Sequence, residues 1–186
     1  MMKRTWVLTA FGKDRPGIVA GVTKVLHVLG CNLEDSAMTR LGGEFVIMLI
    51  FSGPSTVSEA RLQRACAPLE RALKLSIHVK ALAASTRSAA SRAARPHIIS
   101  VYGADRPGIV HGVSELLAKR GINITDVETH RATASGGATG APLYLMLLEV
   151  DLPARVKAAS LQPLLKAAGK RLGVAVNLRP AEPSIL

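Results

Sequence analysis

Aromatic residues make up only 3% of the 186-residue sequence: one Trp, two Tyr and three Phe. A chain this poor in aromatics is short of the stacking surfaces on which single-stranded nucleic acids are held. Cysteine is almost as scarce. Cys31 and Cys66 cannot build a disulfide framework, and their spacing is neither a zinc nor a redox motif, so a reducing cytoplasm is the expected setting. No stretch reaches the roughly 18 consecutive apolar residues of a membrane span. Met1 to Trp6 is not followed by an apolar run with a small-residue cleavage site, so no secretory signal is expected. The five histidines (His27, His78, His97, His111 and His130) are scattered, with no two-His helical pair and no His–Cys cluster. Neither a metal site nor a cofactor is expected. Gly-x-Ser-x-Gly elbows, Gly-Lys-Ser/Thr phosphate loops and metal motifs are missing, so no catalytic residue is assigned and the chain is not expected to be an enzyme.

Acidic residues are the minority charge, 13 Asp and Glu against 24 Lys and Arg, for a net charge of +11 and a pI near 10.4. Such an excess invites a nucleic-acid or membrane-surface reading. The excess is diffuse, however: net +5 over residues 1–80, +3 over 81–95 and +3 over 96–186. It reads as a bias toward acidic partners or as incidental solubility, and direct nucleic-acid binding is not the expected role.

Hydrophobic residues, at 48%, are plentiful enough for a packed core. Their arrangement repeats. Gly12-Lys13-Asp14-Arg15-Pro16-Gly17-Ile18-Val19 recurs as Gly103-Ala104-Asp105-Arg106-Pro107-Gly108-Ile109-Val110, an offset of 91 residues. The same offset carries Gly21-Val22 onto Gly112-Val113, Gly30 onto Gly121, Asn32 onto Asn123 and Asp35 onto Asp126. Two copies of this length are duplicated domains, since solenoids need more and shorter units. The expected division is a first domain over 1–82, an Ala/Ser/Arg linker over 83–95 that has nothing large to bury, and a second domain over 96–186.

Each copy shows the same order of elements. In the first, Thr5 to Phe11 is rich in strand formers and stops at Gly12. Ile18, Val19, Val22, Val25, Leu26 and Leu29 then mark the buried face of a helix. Pro16 suits the first turn of that helix, and Gly30 suits its C-terminal cap. Leu33–Leu41 reads as a strand, and Gly42-Gly43 as a turn. Phe45–Phe51 is a continuous apolar strand expected at the centre of the sheet. A helix over Val57–Ala72 and a strand over Leu75–Leu82 complete the unit. In the second copy the strands run over Ile98–Tyr102, Ile122–Ala132, Leu143–Val150 and Val174–Arg179. Its second helix spans Arg155–Leu172, and its hairpin, 134–142, is longer. The fold class is α+β: two ferredoxin-like βαββαβ units, each an antiparallel four-stranded sheet with two helices on one face.

The repeated loop-to-helix junction is the most informative feature. Gly12 and Gly17, with Gly103 and Gly108, permit tight turns, and a helix start offers unpaired N–H groups to an anion. Asp14 and Asp105 either cap the helix or meet a ligand ammonium. Asn32 and Asn123 open the following strand, placed beside the junction in this reading, with amides that donate and accept. Together these groups describe a pocket for an amino acid, although a cap, a turn and ordinary punctuation account for each piece separately.

On Asp14-Arg15-Pro16-Gly17-Ile18-Val19, Asn32, their copies Asp105-Arg106-Pro107-Gly108-Ile109-Val110 and Asn123, and the βαββαβ order, the sequence resembles a tandem pair of ACT domains. Within them it is most similar to the branch containing the glycine cleavage system transcriptional repressor. The resemblance covers nearly the whole chain outside the linker. It implies a non-catalytic, cytoplasmic regulator that binds an amino acid, glycine or serine first, between paired ACT domains and acts through a transcription factor or enzyme partner. The binding positions it implies are Asp14, Gly17, Ile18, Val19 and Asn32, with Asp105, Gly108, Ile109, Val110 and Asn123. It also implies a homo-oligomer. Two alternatives stay open: a nucleic-acid binder of the same fold, and a regulatory subunit of an amino-acid metabolic enzyme.

Overall fold

A computed structural model describes residues 4–82, 94–132 and 142–181. The chain divides into two compact units between Thr86 and Arg87. The second hairpin, but for Pro142, and the linker, but for Ala94 and Arg95, lie outside the described residues.

The first unit runs β1 (Arg4–Lys13), α1 (Ile18–Val28), β2 (Asn32–Leu41), β3 (Glu44–Gly53), α2 (Glu59–Leu73) and β4 (Ser76–Leu82). Its sheet is antiparallel in the order β2-β3-β1-β4. The second unit runs β5 (Arg95–Ala104), α3 (Ile109–Ala118), β6 (Asn123–Ala132), β7 (Leu143–Leu152), α4 (Ala158–Leu172) and β8 (Val174–Pro180), with sheet order β6-β7-β5-β8. Both are ferredoxin-like, with the two helices over one face.

Period-two burial builds each core. Trp6, Leu8 and Ala10 of β1 and Phe45, Ile47, Leu49 and Phe51 of β3 point toward the helices, where they meet Ile18, Val22 and Leu26 of α1 and Leu62 and Cys66 of α2. The second core repeats this with Ile99, Val101, Met146, Leu148, Val150, Val113, Leu117, Leu161 and Leu165. β3 is an inner strand, as expected, but it is not buried on both faces. Val46 and Met48 are exposed on the helix-free side, so the continuous apolar run supplies one core and one open apolar face.

Element ends differ from expectation where caps decide them. Ser58 caps α2 by accepting the Arg61 N–H at 3.3 Å, so the helix starts at Glu59, two residues after Val57. β5 begins at Arg95, paired with Leu152, and not at Ile98. At the end of α1, Gly30 is left-handed at φ +70°; its N–H donates to the His27 carbonyl and that of Cys31 to Leu26. Gly121 closes α3 in the same way, a Schellman turn in each unit.

Candidate functional site

The junction between β1 and α1 is built by backbone. The Asp14 N–H donates to the Gly43 carbonyl at 3.0 Å, tying the loop to the β2–β3 hairpin, and the Asp105 N–H does the same to Pro142 at 2.9 Å. Gly17 and Gly108 are the helix N-caps, at φ 95° and 93°, and neither helix start receives a side-chain cap. Pro16 therefore precedes the cap and does not occupy the first turn. The first intrahelical bonds are Gly21 N–H to Gly17 O and Gly112 N–H to Gly108 O, both 2.8 Å. The N–H groups of Ile18, Val19 and Ala20, and of Ile109, Val110 and His111, precede those bonds and stand at the positive end of the helix.

Asp14 and Asp105 do not cap these helices. Asp14 Oδ2 accepts from Arg40 Nη1 at 3.0 Å, and Asp105 Oδ2 pairs with Arg131 Nη2 at 2.7 Å. The two arginines sit near the end of β2 and of β6, in register opposite Phe45 and Tyr144. Sequence reading missed them, although the signal was present: Arg40 and Arg131 are themselves separated by 91 residues. In the first unit the junction opens into a concavity of about 650 Å³, walled by Asp14, Gly17, Val19, Thr23, Met38 and Arg40. Ile18 and Ile109 are buried in the cores, so they can offer only backbone there, whereas Val19 and Val110 are 44% and 46% exposed.

Asn32 and Asn123 are not beside the junctions. Asn32 is in register with Ser52, whereas Lys13 and Leu41, at the other end of the sheet, both pair with Glu44. The reason is the right-handed crossover: α1 carries the chain back across the sheet, so β2 starts at the end where β1 started. Along β2 this separates Asn32 from Arg40 by roughly 25 Å. Among the described residues Asn32 Nδ2 donates only to the neighbouring Leu33 carbonyl, at 3.3 Å. Asn123 lines a different concavity, of about 420 Å³, with His111, Ser114, Glu115, Ala118 and Ile122. A lysine beside it, Lys119, holds the exposed Glu115 carboxyl below its usual value.

Neither cysteine offers a nucleophile. Cys66 is 2% exposed, and burial, with the Glu70 charge second, pushes its thiol up to about 11. Burial also raises Cys31, against a smaller opposing effect of Arg61. Since thiolate is the reactive form, iodoacetamide at pH 8 is expected to label both thiols far more slowly in the folded protein than in urea. Folded-state labelling of Cys66 at the unfolded rate would contradict its burial. Among the described residues no cluster of three His, Cys, Asp or Glu is placed to hold a metal, and no helix is long and apolar enough to cross a membrane.

The helix-free faces bear on nucleic-acid binding. Phe11 and Tyr102 occupy matching, exposed places there, 45% and 52% accessible, which the sequence had not indicated. Their inner neighbours β3 and β7 place Val46 and Met48, or Leu145 and Leu147, on that face, where an RNA-binding sheet would place further aromatics.

A ferredoxin-like unit with a bare, glycine-started helix is made twice in one chain, and in the first unit that helix start faces an open concavity, the build of a small-molecule-binding module. The ACT domain family matches residues 4–80 and again residues 97–158. The chain belongs to the ACT-domain family and is a non-catalytic, amino-acid-binding regulatory protein of that family. It is 30% identical over 162 residues, 87% of its length, to the glycine cleavage system transcriptional repressor of Escherichia coli, of which it covers 82%. Its structure is similar to that of an unknown protein from Galdieria sulphuraria, with TM-score 0.80 and 27% identity over 97% of this chain and 100% of that one. A solved candidate glycine cleavage system transcriptional repressor aligns at TM-score 0.70 over 98% of this chain and 99% of that one; at 20% identity this likeness speaks for the fold.

Proposed function

We propose that this chain senses a small amino acid, glycine or serine, at its Asp-Arg-Pro-Gly junctions and conveys occupancy to a partner protein in the cytoplasm, most simply a transcription factor. The likeness to the Escherichia coli repressor supports the transcriptional role. The observation that carries the ligand reading is the twofold occurrence of an uncapped, glycine-started helix beside an Asp–Arg pair. The ligand carboxylate takes the N–H groups of Val19 and Ala20, or of Val110 and His111, and its ammonium takes Asp14 or Asp105. Arg40 and Arg131 compete for the same carboxylates, so binding exchanges one ion pair for another. Ligand shifts the partner-competent state only by its preference for that state.

Within its own unit Asn32 does not reach the junction, so it would join such a site only across paired units. β2 is an edge strand exposed at all ten residues, with an unpaired ladder side open to augmentation. Antiparallel pairing of two such edges would bring Asn32 of one copy to the Arg40 end of the other, and this geometry favours a homo-oligomer.

Calorimetric titration of the folded protein with glycine, serine and larger amino acids tests the proposal. Binding is expected for the small ones. Arg40→Ala removes an exposed pair worth about 0–1 kcal/mol, so it is expected to leave stability nearly unchanged while altering affinity. No heat with any amino acid would overturn the ligand reading.

A further inference from the structure

Between α1 and α2 of the first unit lies an apolar groove of about 400 Å³, lined by Val25, Val28 and Leu29 on one side and Ala65, Leu69 and Ala72 on the other. Val28 is 73% exposed. The helices cross closely here, since a Cβ on Gly21 would lie 2.6 Å from Leu69 Cδ1.

In the second unit the corresponding places along and just after α3 carry charge. At the 91-residue offset, Lys24, Val28 and Leu29 become Glu115, Lys119 and Arg120. Lys119 Nζ and Glu115 Oε1 pair at 2.8 Å, and Arg120 Nη1 donates to the Leu116 carbonyl at 3.0 Å. Packing of the βαββαβ unit therefore tolerates charge at this place, so the fold itself does not require the apolar side chains that α1 presents there. A single exposed valine is ordinary, whereas a contiguous apolar groove marks a contact surface.

The one charged residue that lines the groove is basic. Lys24 lines it, and Arg64 and Arg71 stand next to Ala65 and Ala72 on α2. α1 has no acidic residue. Both acids of α2 are engaged elsewhere: Glu59 Oε1 accepts from Gln63 at 3.2 Å, and Glu70 Oε1 accepts the Ile77 N–H of β4 at 2.8 Å.

We propose that this groove docks an amphipathic helix of a partner protein, with apolar side chains laid on Val28 and Leu29 and acidic side chains set against Lys24, Arg64 and Arg71. This is recognition by helix in groove. The proposal rests on the reading that the chain acts by protein contact; it does not need the amino-acid site.

The test uses the full chain and two fluorescein-labelled 18-residue amphipathic peptides with identical leucine faces, one flanked by glutamate and the other by lysine. Anisotropy is expected to show the glutamate peptide binding in preference to the lysine peptide. Val28→Lys, which installs the second unit's residue at an exposed place, is expected to weaken binding by at least about tenfold, or about 1.4 kcal/mol. Lys24→Glu/Arg64→Glu is expected to reverse the preference toward the lysine peptide. Glycine and serine titrations and thermal unfolding of the same variants should match the parent. Equal binding of both peptides, or unchanged binding by Val28→Lys, would overturn the proposal. So would a fall in sedimentation mass on Val28→Lys, which would assign the groove to a second copy of this chain. Loss of amino-acid binding in the parent, with peptide discrimination intact, would remove the ligand reading and leave the groove standing.

Discussion

Gly17→Val/Gly108→Val is expected to give no heat with glycine or serine while both units remain folded. Both glycines are left-handed, at φ +95° and +93°, and an L-residue pays about 1–2 kcal/mol there, more when β-branched. Space is not the obstacle, because an added Cβ would meet no heavy atom within 4 Å at either position. The strain therefore has to be relieved by rotating the backbone at the N-cap. That rotation swings the first helical N–H groups away from the place a carboxylate would occupy. A hydrogen bond to a charged group contributes about 1.5–3 kcal/mol, so loss of two weakens binding by at least about a hundredfold. Gly17→Asn/Gly108→Asn keeps the left-handed conformation that asparagine tolerates, and its circular dichroism should match the parent. Ligand heat undiminished in the valine variant would move the site away from the junctions, with the Asn123 concavity the next place to look.

Most of the fold was legible because two independent periodicities agreed: apolar spacing within each element, and a 91-residue offset between copies. The topology followed from the element order. The site was less legible, and the reasons differ by residue. The junction glycines declared themselves through the Gly-x-Asp-Arg-Pro-Gly spacing, and both are left-handed. The role of Asp14 did not, because its partner Arg40 lies 26 residues away and only hairpin register brings them together. Asn32 was misplaced by treating closeness in sequence to the helix end as closeness to the helix start. An eleven-residue helix, about 16 Å long, separates those two places. The right-handed crossover rule already contained that answer, so the error lay in the reading and not in the sequence. The groove between α1 and α2 was hidden for another reason. Val25 and Leu29 belong to the apolar spacing read as the core side of α1, and only packing shows that, with the exposed Val28 outside that spacing, they also wall a groove.

The largest effect on stability is expected at Gly169 in α4. A Cβ there would lie 2.6 Å from the Val174 carbonyl oxygen and 2.7 Å from Val176 Cγ2, so the obstruction includes strand backbone. Val174 in turn pairs with Gly103 in β5, where a Cβ would meet the Gly173 carbonyl at 3.0 Å. Helix, edge strand and central strand are thus closed against each other through glycines, and none of the three can shift alone. The first unit solves the same place differently: Glu70 stands there and its carboxylate accepts a β4 N–H. Gly169→Val is expected to cost about 3 kcal/mol, the upper end for overpacking a filled core. The chain supplies its own reporters. Its single tryptophan, Trp6, is in the first core, while Tyr102 and Tyr144 are both in the second unit. Urea unfolding followed by tryptophan emission should keep the parent midpoint, whereas far-ultraviolet circular dichroism should gain an earlier phase. Should the tryptophan midpoint fall together with the dichroism midpoint, the two units unfold as one cooperative body, and a ligand bound at either junction would stabilise both.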